Sequence, residues 1–172
     1  MLIHTVRNIR ALKKTLKEID KAIKEELKSF PNTLCSIGGI GDIFSAGIIA
    51  EIGYAERFAK NDKIAKLAGL VWPEKQSGKF KAEERRMIKG ANKYLRYYLI
   101  EAADSVRKND VVFSNYYWKK YKESNKHRHK RALVLTARKL VRVIFYLLKT
   151  GNIYRPITNM QNPVKEEVIQ NN

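Results

Sequence analysis

The chain is poor in the residues that build covalent or metal-held scaffolds. Its 172 residues include one cysteine, Cys35, and three scattered histidines, His4, His127 and His129. A disulfide framework is excluded, a reducing compartment is expected, and no zinc-ligand spacing is present. Proline is scarce, at four, and no stretch approaches the ~18 apolar residues of a membrane span, so no membrane partner is expected. Met1-Leu2-Ile3-His4-Thr5-Val6-Arg7 offers no apolar leader core, which points to an intracellular product. Acidic residues are also few, 17 against 35 Lys and Arg, for a formal net charge of +18. Hydrophobic residues are plentiful at 44%. That is enough for one packed domain and excludes global disorder.

The positive charge is local. Residues 1–34 carry a net +4, 35–70 are neutral, 71–160 carry +15, and 161–172 carry −1. An excess confined to one segment reads as a binding face for a polyanion, with nucleic acid the default partner.

Helical periodicity dominates. Ile9, Leu12, Leu16, Ile19 and Ile23, followed by Leu27 and Phe30, form an a/d stripe about three heptads long. It predicts a helix over 1–30, ended by Pro31. That helix either lies on its own domain or is a coiled-coil arm that makes a homodimer or higher oligomer through residues 2–30. A short helix then meets Gly38-Gly39-Ile40-Gly41, with Asp42 as the expected N-cap of a second helix through Ile52. This helix-hairpin-helix-like element admits two readings. Gly39 and Gly41 could let the main chain approach a phosphate at a helix N-terminus, or the turn could be purely structural, since Asp42 would oppose an anion.

Further on, Asn61 is the expected N-cap of a short helix reaching Gly69. Residues 70–90 read as a loop, and Asn92 to Arg107 as a strong helix with Leu95, Leu99, Ala102 and Ala103 on one side. A connector holds Phe113, Tyr116, Tyr117, Trp118 and Tyr121, and a last helix spans 132–149. Tyr94, Tyr97 and Tyr98, at spacings of three and four, are expected in the core, as is Cys35. No segment alternates with period two. The fold class is therefore all-α, with a helical linker over 1–30, a compact helical domain over 31–156 and a tail over 157–172.

Two stretches carry chemistry. In Gln76-Ser77-Gly78-Lys79-Phe80, a serine sits in a glycine-containing loop followed by Lys79, Arg85, Arg86, Lys89 and Arg96. A serine attacking a phosphodiester needs a proton acceptor and positive charge around phosphorus, and those cations could supply the charge. On residue types alone, Ser77 reads as an ordinary turn residue, as most Ser-Gly pairs in loops are. The run from Lys119 to Arg131 contains Lys119, Lys120, Lys126, Arg128, Lys130 and Arg131. Beside Tyr117, Trp118 and Tyr121, these fit backbone clamping and base stacking. The bland reading is a solvated charged face with the aromatics turned inward.

Several of these stretches carry a family resemblance: Ile37 to Glu51, Leu67-Ala68-Gly69-Leu70, Gln76-Ser77-Gly78-Lys79-Phe80, Arg86-Met87 through Lys89, Asn92-Lys93-Tyr94-Leu95-Arg96, Glu101-Ala102-Ala103, and Lys130-Arg131-Ala132 to Tyr154-Arg155-Pro156. In order and spacing they resemble the C-terminal part of bacterial transposases of the insertion sequence 110 family, related to the Piv-type DNA invertases. The resemblance covers about residues 1–156. It implies DNA strand exchange through a covalent serine–DNA ester, with Ser77 as the nucleophile, and in some relatives a structured guide RNA. It also implies an N-terminal RNase-H-like domain whose four acids hold a divalent metal such as magnesium. That domain is absent from these 172 residues, so no cofactor is expected in this chain and the chain alone is not expected to complete transposition. The expected location is the bacterial cytoplasm, associated with the nucleoid. Two positions depart from the family pattern: Ala91 stands where glycine precedes the motif asparagine, and Gly38 where proline is common. The alternative is a non-catalytic helix-hairpin-helix nucleic-acid-binding module.

Overall fold

The computed structural model describes residues 1–30, 32–72 and 91–157, together with the backbone of residues 76–77 and 80–81. The helices are α1 (Leu2–Leu27), α2 (Asp42–Ile52), α3 (Asn61–Leu67), α4 (Lys93–Asn109), α5 (Val111–Lys122) and α6 (Arg128–Thr150). Single 3-10 turns occupy Leu34–Ser36 and Ala55–Arg57. The fold is all-α. The one departure among the described residues is a two-residue antiparallel ladder, β1 (Gln76–Ser77) against β2 (Phe80–Lys81).

The core forms where apolar stripes meet. α4 buries Leu95, Leu99, Ala102, Ala103 and Val106, and α6 buries Ala132, Val134, Ala137, Leu140, Val141, Ile144 and Leu147. The 3.6-residue period places each set on one face. α6 packs against α3, α4 and α5, and α4 also carries α2. Alanines at 102, 103, 132 and 137 let the α4 and α6 backbones approach. Ile37, Ile48, Ile52, Ile64 and Leu70 close the other side. Each fully buried Leu or Ile contributes about 1.5–3 kcal/mol relative to exposure.

α1 departs from this pattern. Only Leu27 is buried on it, while Ile9, Leu12, Leu16 and Ile19 are 47%, 65%, 58% and 49% exposed. The reading of α1 as a helix lying on its own domain holds only at its C-terminal end. There it touches α2 and Lys24 pairs with Asp42 at 3.5 Å.

Several local expectations are corrected. The aromatic connector is the helix α5: the Asp110 side chain accepts from the Phe113 amide at 3.1 Å and starts it. The last helix begins at Arg128, four residues early. Gly41 and Lys60, not Asp42 and Asn61, occupy the N-cap positions of α2 and α3. Cys35 is exposed. Its sulfur accepts from Asn32 Nδ2 at 3.1 Å and donates to Asp42 Oδ1 at 3.6 Å. Desolvation first, and the Asp42 carboxylate with it, push the thiol up. Tyr94 and Tyr97 are exposed, because both lie on the α4 face turned away from Leu95 and Leu99, and Tyr98 is half-buried.

Candidate functional site

Three elements converge where the segment bearing Ser77 leaves and rejoins the helical body. α3 ends in a Schellman turn: the Gly69 amide donates to Lys66 O at 2.9 Å and the Leu70 amide to Ala65 O at 2.8 Å. Gly69 has φ +66° there, and a Cβ at this position would collide with the Arg96 guanidinium and Ala91. The Asn92 amide donates to Leu67 O at 2.8 Å, and Arg96 Nε donates to Ala68 O at 2.8 Å. These two bonds draw the start of α4 onto the end of α3.

Asn92 does more than this. Its Oδ1 accepts from the amides of Tyr94 and Leu95, both at 3.0 Å, and so caps α4. Its Nδ2 donates to Glu51 Oε2 at 2.6 Å, tying in the last turn of α2. The motif residues Leu67 to Leu70, Asn92 and Arg96 are thus explained as a clamp. It brings together the stems at Leu70 and Ala91, between which the Ser77 segment runs. Arg96, expected to face phosphate, commits Nε to a backbone carbonyl.

Within that segment the ladder pairs Gln76 with Lys81 and Ser77 with Phe80. Ser77 is therefore the last paired residue before positions 78–79. Lys79, Arg85, Arg86 and Lys89 lie outside the described residues, as does the side chain of Ser77.

The basic run spans the end of α5 and the start of α6. Lys119, Lys126, Arg128, Lys130 and Arg131 are exposed. Lys120 is half-buried, with Nζ 2.6 Å from Glu123 Oε2 and 5.7 Å from the centre of the Tyr116 ring. α6 opens on His127 in the left-handed region (φ 49°), with no acid in its first turn. Arg128, Lys130 and Arg131 thus stand at the positive end of a helix dipole, which favours anions and disfavours cations.

The aromatics beside the run are occupied with one another. Tyr117 is buried. It meets Trp118 and Tyr121 at 5.3 and 6.0 Å, lies under the Arg107 guanidinium at 4.3 Å, and shares a 2.7 Å hydrogen bond with His129 Nδ1. Trp118 meets Tyr121 edge-on at 5.4 Å. Lys139 covers Phe113 and Tyr116, and burial lowers its affinity for a proton against the pull of Asp110.

At the glycine hairpin, Gly39 has φ +98°, and a Cβ there would come within 2.9 Å of the Ser105 carbonyl. Its hydrogen lets the turn rest on the α4 backbone. Gly41 faces open space, and the Asp42 carboxylate stands in the first turn of α2. Among the described residues no three His, Cys, Asp or Glu side chains gather into a metal-holding group, and no metal-dependent step is assigned to them. No described helix is long and apolar enough to cross a membrane.

Sequence reasoning missed two of these links. Glu51 gave no signal, since its partner is 41 residues away. Asp110 could have been recognised as a cap, because an Asp directly before Val111-Val112-Phe113 is a helix-start pattern.

Residues 32–118, from the glycine hairpin through the Ser77 segment and most of α5, match the transposase IS116/IS110/IS902 family. The insertion element IS900 uncharacterized 42 kDa protein of Mycobacterium paratuberculosis is 27% identical over 155 residues. The alignment covers 88% of this chain and 38% of that relative. The chain therefore spans well under half the length of the curated relative it matches. With half of its length matched by the family, the chain belongs to the IS116/IS110/IS902 family of transposases.

Proposed function

We propose that this chain is the DNA-binding, serine-bearing part of a transposase that exchanges DNA strands. The observation that carries the reading is the clamp of Glu51, Asn92, Arg96 and Gly69, which anchors both stems of the Ser77 segment to a packed helical core. A nucleophile must be held in place to be effective, and this clamp gives the segment a rigid base. In the proposed step, the Ser77 oxygen loses its proton to a base and bonds to phosphorus while a sugar oxygen of the cut strand leaves. A sugar hydroxyl of the incoming strand then displaces serine and restores the phosphodiester. Lys79, Arg85, Arg86 and Lys89 would neutralise the charge spreading over the phosphoryl oxygens.

Arg128, Lys130 and Arg131, with Lys119 and Lys126, are proposed as the backbone-contacting face. The placement of Arg128, Lys130 and Arg131 at a helix N-terminus, where cations are disfavoured, supports a polyanionic partner. DNA is the partner assigned, and a structured guide RNA is a further occupant of the same face. The acidic metal domain that the chemistry calls for would come from outside these residues. The helical body over 31–156 is proposed as the working domain. Residues 2–30 are proposed as the arm that pairs with a second copy, since the Ile9–Ile19 stripe is exposed. A dimer that Leu16→Glu splits is expected in sedimentation, and a monomeric wild type overturns the pairing. The Gly39 turn is assigned to packing on α4 rather than to phosphate.

Titration of duplex DNA binding against salt tests the function. Affinity should fall with a log–log slope of about −0.9 per phosphate neutralised, and salt-independent binding or none overturns the reading. The non-catalytic alternative shares this salt dependence and is separated from it by the fate of Ser77.

A further inference from the structure

The outer face of α4 carries two aromatic rings that the core does not take up. Tyr94 and Tyr97 lie three residues apart on its first two turns, so their side chains are neighbours on one face. They are 59% and 57% exposed, although both rings are large and apolar and the helix has a well-filled core on its other side. Their support is specific. The half-buried Tyr98 ring rests on α2 where Gly47 has only hydrogen; a Cβ there would come within 2.5 Å of the ring. Tyr98 in turn meets Tyr97 edge-on at 5.4 Å, with 67° between the planes. Tyr97 is thus braced from below and exposed above. Lys93 Nζ sits 5.0 Å from the centre of the Tyr94 ring, which puts a cation beside an exposed aromatic surface.

We propose that Tyr94 and Tyr97 form a stacking platform for unpaired bases of single-stranded DNA, with Lys93 meeting the adjoining phosphate. Three features select this occupant. Exposed rings offer a sequence-tolerant face to a base that is not already stacked in a duplex. The neighbouring sequence is cationic, with Lys79, Lys81, Arg85, Arg86, Lys89, Lys93 and Arg96 against Glu83 and Glu84 over residues 77–96, which disfavours a basic partner. Of the nearer acids, Glu51 is held by Asn92, and Glu101 lies one turn beyond Tyr97. The platform also begins two residues after Asn92, at the stem that closes the Ser77 segment. Strand exchange unpairs nucleotides beside the cut phosphate, and this stem is where such a nucleotide would be gripped. The inference rests on the DNA-strand-exchange reading above and deepens it.

The experiment measures fluorescence anisotropy of a labelled oligothymidine and of a labelled hairpin duplex with the full chain. The variants are Tyr94→Ala/Tyr97→Ala and Tyr94→Phe/Tyr97→Phe. The alanine pair should weaken single-strand binding about 10- to 100-fold, as expected when one or two bases no longer stack, and duplex binding less than about 3-fold. The phenylalanine pair should bind the single strand like wild type, because the ring and not the hydroxyl does the stacking. Single-strand binding unaffected by the alanine pair overturns the platform. So does equal loss on both DNA forms, or failure of phenylalanine to preserve binding. A labelled oligouridine is titrated alongside, and a larger loss on it than on oligothymidine reassigns the platform to RNA and overturns the DNA assignment. Duplex binding without single-strand binding by wild type overturns this inference alone. Absence of any DNA binding overturns it together with the proposed function.

Discussion

Asn92 Nδ2 donates to Glu51 Oε2 at 2.6 Å, joining the first residue outside α4 to the last turn of α2. The same side chain caps α4 through Oδ1. Asn92→Ala removes both, so the fold should lose about 1–2 kcal/mol, the usual range for a lost N-cap. Glu51→Ala leaves the cap intact and should cost less. Urea unfolding of the two variants checks the order, and an Asn92→Ala protein as stable as wild type would remove the clamp from the account.

A second long-range link closes the C-terminal end. The Tyr154 hydroxyl donates to Asp110 Oδ2 at 2.8 Å, and the Tyr154 amide donates to Ser36 Oγ at 2.8 Å. Asp110 is 5% exposed, so Tyr154→Phe strands a buried carboxylate oxygen and should cost about 1–3 kcal/mol. Burial first, and the Asp110 carboxylate second, push the Tyr154 hydroxyl above its ordinary value of 10.0. A raised acid favours the protonated form in the folded state. The link is therefore fully present below pH 10 and is lost as the pH climbs beyond it. Above pH 10 the wild type should lose stability more steeply than Tyr154→Phe in thermal melts, whereas parallel curves there would contradict the link.

Gly39 discriminates packing from phosphate binding. Gly39→Ala must adopt a positive φ and press a methyl on the Ser105 carbonyl. A destabilisation of about 1–3 kcal/mol is expected, with DNA affinity of the folded fraction unchanged. Intact stability with lost DNA affinity would restore the phosphate-binding reading of the hairpin.

The cations that open α6 should cost stability and supply binding. Arg128→Gln/Lys130→Gln/Arg131→Gln relieves like charge at the positive end of a helix dipole, so the thermal midpoint should rise or stay level. The salt slope of DNA binding should shrink by up to about 2.7, or about 0.9 for each phosphate no longer neutralised. An unchanged slope would move the interface elsewhere.

The sequence was most legible where short-range physics decides. The 3.6-residue stripe of α4 marks Leu95, Leu99, Ala102 and Ala103 for the core, and all four are buried. Long-range competition decided the exceptions. α5 was hidden because Tyr116, Tyr117, Trp118 and Tyr121 are weak helix formers, and packing against α6 outweighs that weakness. Tyr94 and Tyr97 obey the same spacing as core residues, but the position of α2 leaves room only for Tyr98 above Gly47. The charged run was visible as composition, while its division between helix ends was not. The motif Leu67-Ala68-Gly69-Leu70 could be recognised as a pattern, but its reason, a Schellman turn clamped by Arg96 and Asn92, required the fold.

The most direct measurement concerns Ser77 itself. With a family RNase-H-like acidic domain supplied and a DNA substrate carrying a break that prevents religation, the protein–DNA adduct is isolated, digested and sequenced by mass. The account predicts a phosphoester on the peptide at Ser77 and no adduct with Ser77→Ala. An adduct that survives Ser77→Ala, or maps to another residue, contradicts it.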